Sequence, residues 1–109
     1  MSIVMKNIEL AQLVKIDNAP QVIDVRSAFE YKRGCIPGAI HAPVLKILLK
    51  RARLPVNKNI ELVITCEHGP RAMIAKRLLA AFGYRNTTLL DGHMLGWRNA
   101  GLPLEKKSS

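Results

Sequence analysis

The residues of this chain that could do covalent chemistry are a cysteine and the short loop that follows it. Cys66 comes directly after the apolar run 61–65, and Gly69, Pro70 and Arg71 follow it. When a cysteine lies between a buried strand and a helix N-terminus, backbone amides and the positive end of the helix dipole stabilise its thiolate. The thiolate is the nucleophilic form of cysteine. The spacing therefore predicts Cys66 as a reactive nucleophile.

The loop after Cys66 has the composition of an anion cradle. Gly69 can adopt a positive φ that folds the loop back on itself, and Pro70 suits the first position of a helix, where its missing N–H is least costly. Arg71 adds a permanent positive charge. The candidate ligands for an anion are the loop amides of Glu67, His68, Gly69, Arg71 and Ala72. An unreactive buried cysteine beside a surface arginine is the alternative, and the strand–loop–helix context favours the reactive interpretation.

Apolar periodicity predicts that strands and helices alternate along the chain. The predicted strands are 3–5, 21–25, 39–42, 61–65 and 87–90. The predicted helices are 8–14, 27–31, 44–53, 71–82 and 93–100. Ser27 and Glu30 have the spacing of a capping box at the start of the second helix. This alternation is typical of a parallel sheet with helices on both faces, and sites in such sheets lie past the carboxyl ends of the strands, where Cys66 is.

Composition limits the class of protein. The chain has 109 residues, of which 49% are hydrophobic and 23% charged, as in an ordinary soluble globular domain. No apolar run approaches the roughly 18–20 residues of a membrane helix, and the N-terminus lacks the pattern of a secretory signal. The two cysteines are too few for a disulfide scaffold, and no Cys/His cluster has zinc spacing. We expect one cytoplasmic domain over residues 1–104, a disordered tail at 105–109, and no metal or organic cofactor.

Positive charge is concentrated in one part of the chain. The net charge is +9, and the segment 31–60 contains seven basic residues and no Asp or Glu. These residues are Lys32, Arg33, Lys46, Lys50, Arg51, Arg53 and Lys58. Such a surface can attract an acidic protein, an anionic small molecule or a nucleic acid. No aromatic residue interleaves with the charges, which argues against single-stranded nucleic acid, and a solvated helix face is the favoured interpretation.

With these residues in view, the sequence resembles the rhodanese-like (sulfurtransferase) domain family. The resemblance lies in three segments: VIDVRSAFEYKRGCIPGAIHAP, VITCEHGPRAMIAKRLLAAFGY and LLDGHMLGWRNAGLPLE. They are similar to the family's Asp-x-Arg and Gly-His-Ile-Pro-Gly-Ala stretch, its Cys-x-x-Gly-x-Arg loop, and its closing Leu-x-Gly-Gly, Trp and Gly-Leu-Pro. The resemblance implies a three-layer α/β fold around a five-stranded parallel sheet, and a cysteine that carries sulfane sulfur as a persulfide.

The sequence departs from the family pattern at four positions. Glu67 replaces the basic or polar residue that often follows the cysteine, and Ala72 replaces a Ser or Thr whose hydroxyl can support the thiolate. Cys35 stands where the family has a histidine, and His93 where it has the second glycine of Gly-Gly. Because a carboxylate at the pocket mouth repels a dianion, Glu67 predicts that thiosulfate is a poor sulfur donor.

Four further residues are candidates for a role beside Cys66. Asp24 and Arg26 follow the second strand and are expected to brace the cysteine loop as a scaffold, without direct catalysis. Cys35 could be a resolving thiol, and a buried turn residue is the favoured alternative. His68 could tune the pocket or be a solvated loop residue, and the sequence leaves these two open.

The resemblance and the loop together predict a sulfurtransferase. The Cys66 thiolate would attack the outer sulfur of thiosulfate or a persulfide, with the loop amides and Arg71 stabilising the sulfur anion, and would pass that sulfur to cyanide, a thiol or a protein. The first alternative is a non-enzymatic sulfur carrier or docking module in a sulfur relay. The second is a phosphatase or arsenate reductase, whose similar loops run one residue longer. No membrane partner is expected.

Overall fold

The computed structural model describes residues 4–13 and 20–107. Its strands are β1 (Val4–Met5), β2 (Gln21–Asp24), β3 (Ile40–His41), β4 (Leu62–Thr65) and β5 (Thr87–Leu90). Its helices are α1 (Asn7–Leu13), α2 (Ala28–Arg33), α3 (Val44–Leu48), α4 (Pro70–Ala81) and α5 (His93–Asn99). Each predicted strand and helix has its counterpart, and the predicted ends at Ile3 and Val14 lie outside the described residues.

The five strands form one parallel sheet in the order β1-β5-β4-β2-β3, which confirms the predicted fold class. The central strand β4 is buried at every position. A strand covered on both faces needs apolar side chains throughout, and Leu-Val-Ile-Thr supplies them. The strand therefore delivers the next residue, Cys66, to the carboxyl edge of the sheet.

Alternation along β4 shows how the helices divide between the two faces. Ile64 points into one apolar cluster, which also contains Ile47 of α3 and Leu79 of α4. Val63 points into a second cluster with Leu10 of α1 and Trp97 of α5. Because neighbouring strand residues point to opposite faces, the two clusters lie on opposite sides of the sheet. The molecule has the expected three layers.

Helix α3 ends five residues before its predicted end. Lys50 has a left-handed φ of 56°, and its N–H donates to the carbonyl of Ile47 at 3.0 Å. The N–H of Arg51 donates to the carbonyl of Lys46 at 2.8 Å. These two bonds form a Schellman ending, for which glycine is the usual signal. A lysine takes that position here, so the sequence predicted a helix to residue 53.

Residues 105–107, which lie in the tail that the sequence predicted as disordered, bond to the rest of the domain through their main chain. The N–H of Cys35 donates to the carbonyl of Glu105 at 2.9 Å, and the N–H of Glu105 donates back at 2.8 Å. The N–H of Lys107 donates to the carbonyl of Lys32 at 3.1 Å. Main-chain pairing of this kind depends little on side chains, so composition did not indicate it. Residues 108–109 lie outside the described part.

None of the helices in the described ranges has the length and apolar character needed to cross a membrane.

Candidate active site

Cys66 lies at the carboxyl end of β4 with its side chain buried. The N–H of Gly69 donates to its Sγ at 2.9 Å, so one of the five predicted loop amides lies on the sulfur. Gly69 has φ 130°, and a Cβ there would lie 3.2 Å from Nε2 of His93. The next residue, Pro70, is the first of α4. The loop therefore holds the sulfur at a helix N-terminus through a turn that requires glycine.

Helix α5 braces the same loop from behind. The N–H of Met94 donates to the carbonyl of Cys66 at 3.0 Å, and the N–H of Leu95 donates to the carbonyl of Glu67 at 3.3 Å. These are free amides of the first turn of α5, which need acceptors outside their own helix. The cysteine loop is thus bonded to the amino ends of both α4 and α5.

His93 is a site residue that the sequence marked only as a departure from the family pattern. Its Nδ1 accepts the N–H of Cys66 at 3.3 Å, so the ring carries its proton on Nε2 in the neutral form. Burial lowers the pKa of His93, which favours that neutral form. Its φ of 51° is a backbone state that suits glycine and strains most other residues. The sequence signal that could have identified His93 as a site residue is its place at a position where the family has a glycine.

Arg71 reaches across the site to α2. Its guanidinium donates to both carboxylate oxygens of Glu30, at 2.6 and 3.1 Å. Oε1 of Glu30 also accepts the N–H of Ser27 at 3.1 Å, which completes the predicted capping box. The hydrogen bond from Arg71 lowers the pKa of Glu30 to about 2. Glu30 in turn raises the pKa of Arg71, with a smaller contribution from Cys66.

Glu67, from which the sequence predicted repulsion of a dianion, lies beside two arginines. Arg98 donates to both of its carboxylate oxygens, one of them at 3.0 Å. Arg26 lies 3.5 Å from the same carboxylate. The hydrogen bond from Arg98 is the main cause of a lowered pKa of Glu67. Two guanidinium groups balance the carboxylate, so the expected repulsion of a dianion loses its basis.

Asp24 and Arg26 connect β2 to the loop. Both are buried, and Arg26 donates to Asp24 through Nε at 3.0 Å and Nη2 at 2.8 Å. Nη2 also donates to the carbonyl of Gly34 at 2.8 Å. A buried carboxylate and guanidinium are tolerated when paired and hydrogen-bonded in this way. Since Arg26 also lies 3.5 Å from Glu67, the pair lies between the end of β2 and the cysteine loop.

A cavity of about 360 Å³ lies beside Glu30 and the ion pairs of Glu67 with Arg26 and Arg98. It is lined by Arg26, Phe29, Glu30, Arg33, Gly34, Glu67, Arg98 and Leu104. Its walls combine three guanidinium groups, two carboxylates and two apolar side chains. A cavity with this lining suits a small anion or an anionic group with an apolar part.

Comparison with known proteins identifies the family. The family model of the rhodanese-like domain matches residues 7–100. The chain belongs to this family. A sulfurtransferase of Allochromatium vinosum is 31% identical over 83 residues, which cover 76% of each chain. YrkF of Bacillus subtilis, a proposed sulfur carrier protein, is 33% identical over 86 residues, which cover 79% of this chain and 45% of YrkF.

A solved structure gives the same family relationship. The rhodanese-related protein of Thermoplasma volcanium superposes with a TM-score of 0.81 at 26% identity, covering 95% of this chain and 98% of that chain. This rhodanese-like domain is therefore similar to a sulfurtransferase in sequence and to a rhodanese-related protein in structure.

The remaining sequence candidates of the rhodanese-like domain lie apart from the sulfur or pack beneath it. His68 is exposed, and Ala72 is buried in the same apolar cluster as Cys66. Cys35 is buried on the bridge with Glu105, and desolvation raises the pKa of its thiol. Within residues 4–13 and 20–107, no three His, Cys, Asp or Glu side chains are grouped to hold a metal ion.

Proposed function

We propose that this rhodanese-like domain is a sulfurtransferase whose Cys66 carries sulfane sulfur as a persulfide. The observation that carries the proposal is the 2.9 Å hydrogen bond from the N–H of Gly69 to Sγ of Cys66. A backbone donor on the sulfur at the N-terminus of α4 stabilises negative charge there. The sulfurtransferase of Allochromatium vinosum supports the same activity.

The proposed reaction has two displacement steps at sulfur. The Cys66 thiolate attacks the outer sulfur of thiosulfate or of a low-molecular-weight persulfide, the S–S bond of the donor breaks, and sulfite or a thiolate leaves. The electron pair of the broken bond goes with the leaving group, and Cys66 becomes a persulfide. Cyanide, a thiol or a protein thiol then attacks the terminal sulfur, which releases the Cys66 thiolate. No electron acceptor is consumed.

The surrounding residues would divide the work of binding. The amides of the loop 67–72 would hold the terminal sulfur, and Asp24 would keep Arg26 in place as a scaffold. The guanidinium of Arg71 donates to Glu30. Arg71 would therefore act on the terminal sulfur through its positive charge and not through a direct hydrogen bond. A donor entering the 360 Å³ cavity would meet Glu67 already paired, so thiosulfate is a competent donor under this proposal.

Mass spectrometry of the intact protein tests the proposal. After incubation with thiosulfate or glutathione persulfide, the wild type is expected to gain the mass of one sulfur atom. Cys66→Ser should gain none, and Cys35→Ser is the matched control that should gain it as the wild type does. An alkylatable Cys66 that never takes up sulfur from either donor would refute the proposed persulfide.

A sulfur carrier without turnover of its own is the second candidate. One relative of this chain, YrkF, is named as a sulfur carrier protein, and the chain matches 45% of its length. A carrier would take up sulfur on Cys66 and pass it to a protein thiol, with no catalytic production of thiocyanate from cyanide. Steady-state thiocyanate formation separates the two. Hydrolysis of p-nitrophenyl phosphate that Cys66→Ser abolishes would favour a phosphatase over both.

A further inference from the structure

Helix α3 turns its leucines toward solvent. Leu45, Leu48 and Leu49 are 64%, 53% and 53% exposed, whereas Ile47 between them is buried. Residues spaced i, i+3 and i+4 share one side of a helix, so the three leucines form one outward stripe. Apolar stripes of this kind normally face the core. An exposed one marks an interaction site more often than a single exposed leucine does.

Three exposed cations lie in α3 and in the segment just after it. Lys46, Arg51 and Arg53 are exposed, and among the described residues none of them pairs with a carboxylate. They line one cavity of about 400 Å³ whose lining contains no Asp or Glu. We call the three leucines and these three cations the α3 face. Its positive charge is uncompensated.

The α3 face lies close to the cysteine. Asp24 of β2 is in register with His41 at the end of β3 and with Thr65 at the end of β4. The start of α3 is therefore level with the cysteine loop, two strands away, a distance of about 10 Å. Ile47 of α3 packs in the same apolar cluster as Cys66. A protein bound to the α3 face would lie at the edge of the sheet that carries the cysteine loop.

We propose that the α3 face docks an acidic partner protein that exchanges sulfur with Cys66, an inference that rests on the proposed function. Apolar side chains on the partner would cover the leucines, and its carboxylates would pair with Lys46, Arg51 and Arg53. Complementary charge of this kind speeds and orients association. The partner is a sulfur donor or acceptor of opposite charge to this chain, which has a net charge of +9.

Two other occupants fit the α3 face less well. A symmetric contact between two copies would place the same patch against itself, which brings two sets of three cations together with no acid between them. The strength of binding to an anionic membrane surface scales with the apolar area that is buried, and α3 offers only the three leucines of one five-residue helix. Both remain measurable outcomes of the experiment below.

The experiment uses a synthetic helical peptide with leucines on one face, glutamates on the other and a terminal cysteine. The full chain is first loaded with sulfur, and transfer to the peptide thiol and to cyanide is measured separately. The charge variant Lys46→Glu/Arg51→Glu/Arg53→Glu is expected to slow transfer to the peptide about tenfold. Its transfer to cyanide should stay within about twofold of the wild type, because the substituted side chains are exposed and none of them belongs to the cysteine loop.

The matched control changes three other cations to glutamate: Lys6→Glu/Arg77→Glu/Arg85→Glu. These residues are exposed, lie outside α3, and change the net charge by the same amount. The control should transfer sulfur to the peptide at the wild-type rate. If it loses as much as the α3 variant does, overall charge is responsible and the α3 face is not a docking site.

A second variant and a second peptide test the two halves of the α3 face. Leu45→Ser/Leu48→Ser/Leu49→Ser should weaken peptide binding several-fold in fluorescence anisotropy, and a peptide with glutamine in place of glutamate should bind several-fold more weakly to the wild type. Equal binding of both peptides would overturn the proposal.

Binding to anionic phospholipid vesicles, or a dimer in sedimentation that the serine variant abolishes, would reassign the face to those occupants. A wild type that transfers no sulfur to cyanide contradicts the proposed function, while the anisotropy result still stands.

Discussion

Replacing Glu30 by glutamine removes the carboxylate that binds Arg71 but keeps the size of the side chain and its capacity to cap α2. The pKa of Glu30 is lowered from 4.5 to about 2, a difference that corresponds to about 3 kcal/mol when fully expressed. The two side chains are 29% and 41% exposed, so water weakens their attraction, and exposed pairs contribute about 0.2–1 kcal/mol. Bidentate geometry raises that value. We predict that Glu30→Gln lowers the free energy of unfolding by about 1–2 kcal/mol at pH 7.

The sign of the pH dependence follows from the direction of the shift. A folded-state pKa below the unfolded one means that the ionised carboxylate stabilises the fold. That stabilisation is complete above about pH 4.5 and is lost as the pH falls toward 2. Wild type and Glu30→Gln should therefore differ in urea unfolding at pH 7 and converge at pH 2–3. Glu61→Gln is the control, since Glu61 forms no ion pair with any described residue.

A double-mutant cycle with Arg71→Gln isolates the pair itself. If the pair stabilises the protein, the two single substitutions should not add, and the coupling should be about 1 kcal/mol at pH 7. Two results would refute the reasoning from the pKa of Glu30. One is a coupling near zero, and the other is a free energy of unfolding of Glu30→Gln that lies as far below that of the wild type at pH 2.5 as at pH 7.

Three further outcomes follow from the site. Cys66→Ser should abolish thiocyanate production while Cys35→Ser keeps it, and similar losses in both would contradict the choice of nucleophile. Glu67→Gln releases two guanidinium groups and should lower the KM for thiosulfate about threefold to tenfold, whereas an unchanged KM would show that this charge does not affect donor binding. Because burial lowers the pKa of His93, the wild type should lose stability as the pH falls below about 6.5. His93→Asn should lose less stability than the wild type over this pH range. Parallel stability curves for the two proteins would show that His93 does not titrate with unfolding.

Local sequence signals predicted the fold because they agree with one another. The β-rich run before Cys66, the glycine and proline after it and the apolar spacing of α4 all belong to one strand–loop–helix unit, so the position of the cysteine followed. The capping box of Ser27 and Glu30 depends on residues three apart and is equally local. Family resemblance then supplied one sheet of five parallel strands in a three-layer fold, and the order of the strands came only from the structure.

Pairings between distant elements could not be predicted in the same way. The sequence indicated that Glu67 and Arg71 carry charge, but their partners Arg98 and Glu30 lie 31 and 41 residues away. Which oppositely charged side chains meet depends on how helices pack over the sheet. The two guanidinium partners of Glu67 could not be predicted for this reason. The αL ending of α3 at Lys50 was missed because it lacks the glycine that normally marks it.

The brace from α5 has a consequence for the order in which the molecule is built. The N–H of Cys66 is bonded to a histidine 27 residues later in the chain, and β1 pairs with β5, Val4 beside Leu89. At about 5–20 residues per second, a ribosome needs several seconds to make the residues between those two strands. During that time the strand that pairs with β1 and the amides of Met94 and Leu95 have not yet been made. The bonds that brace the nucleophile from α5 are therefore among the later contacts that the growing chain can form.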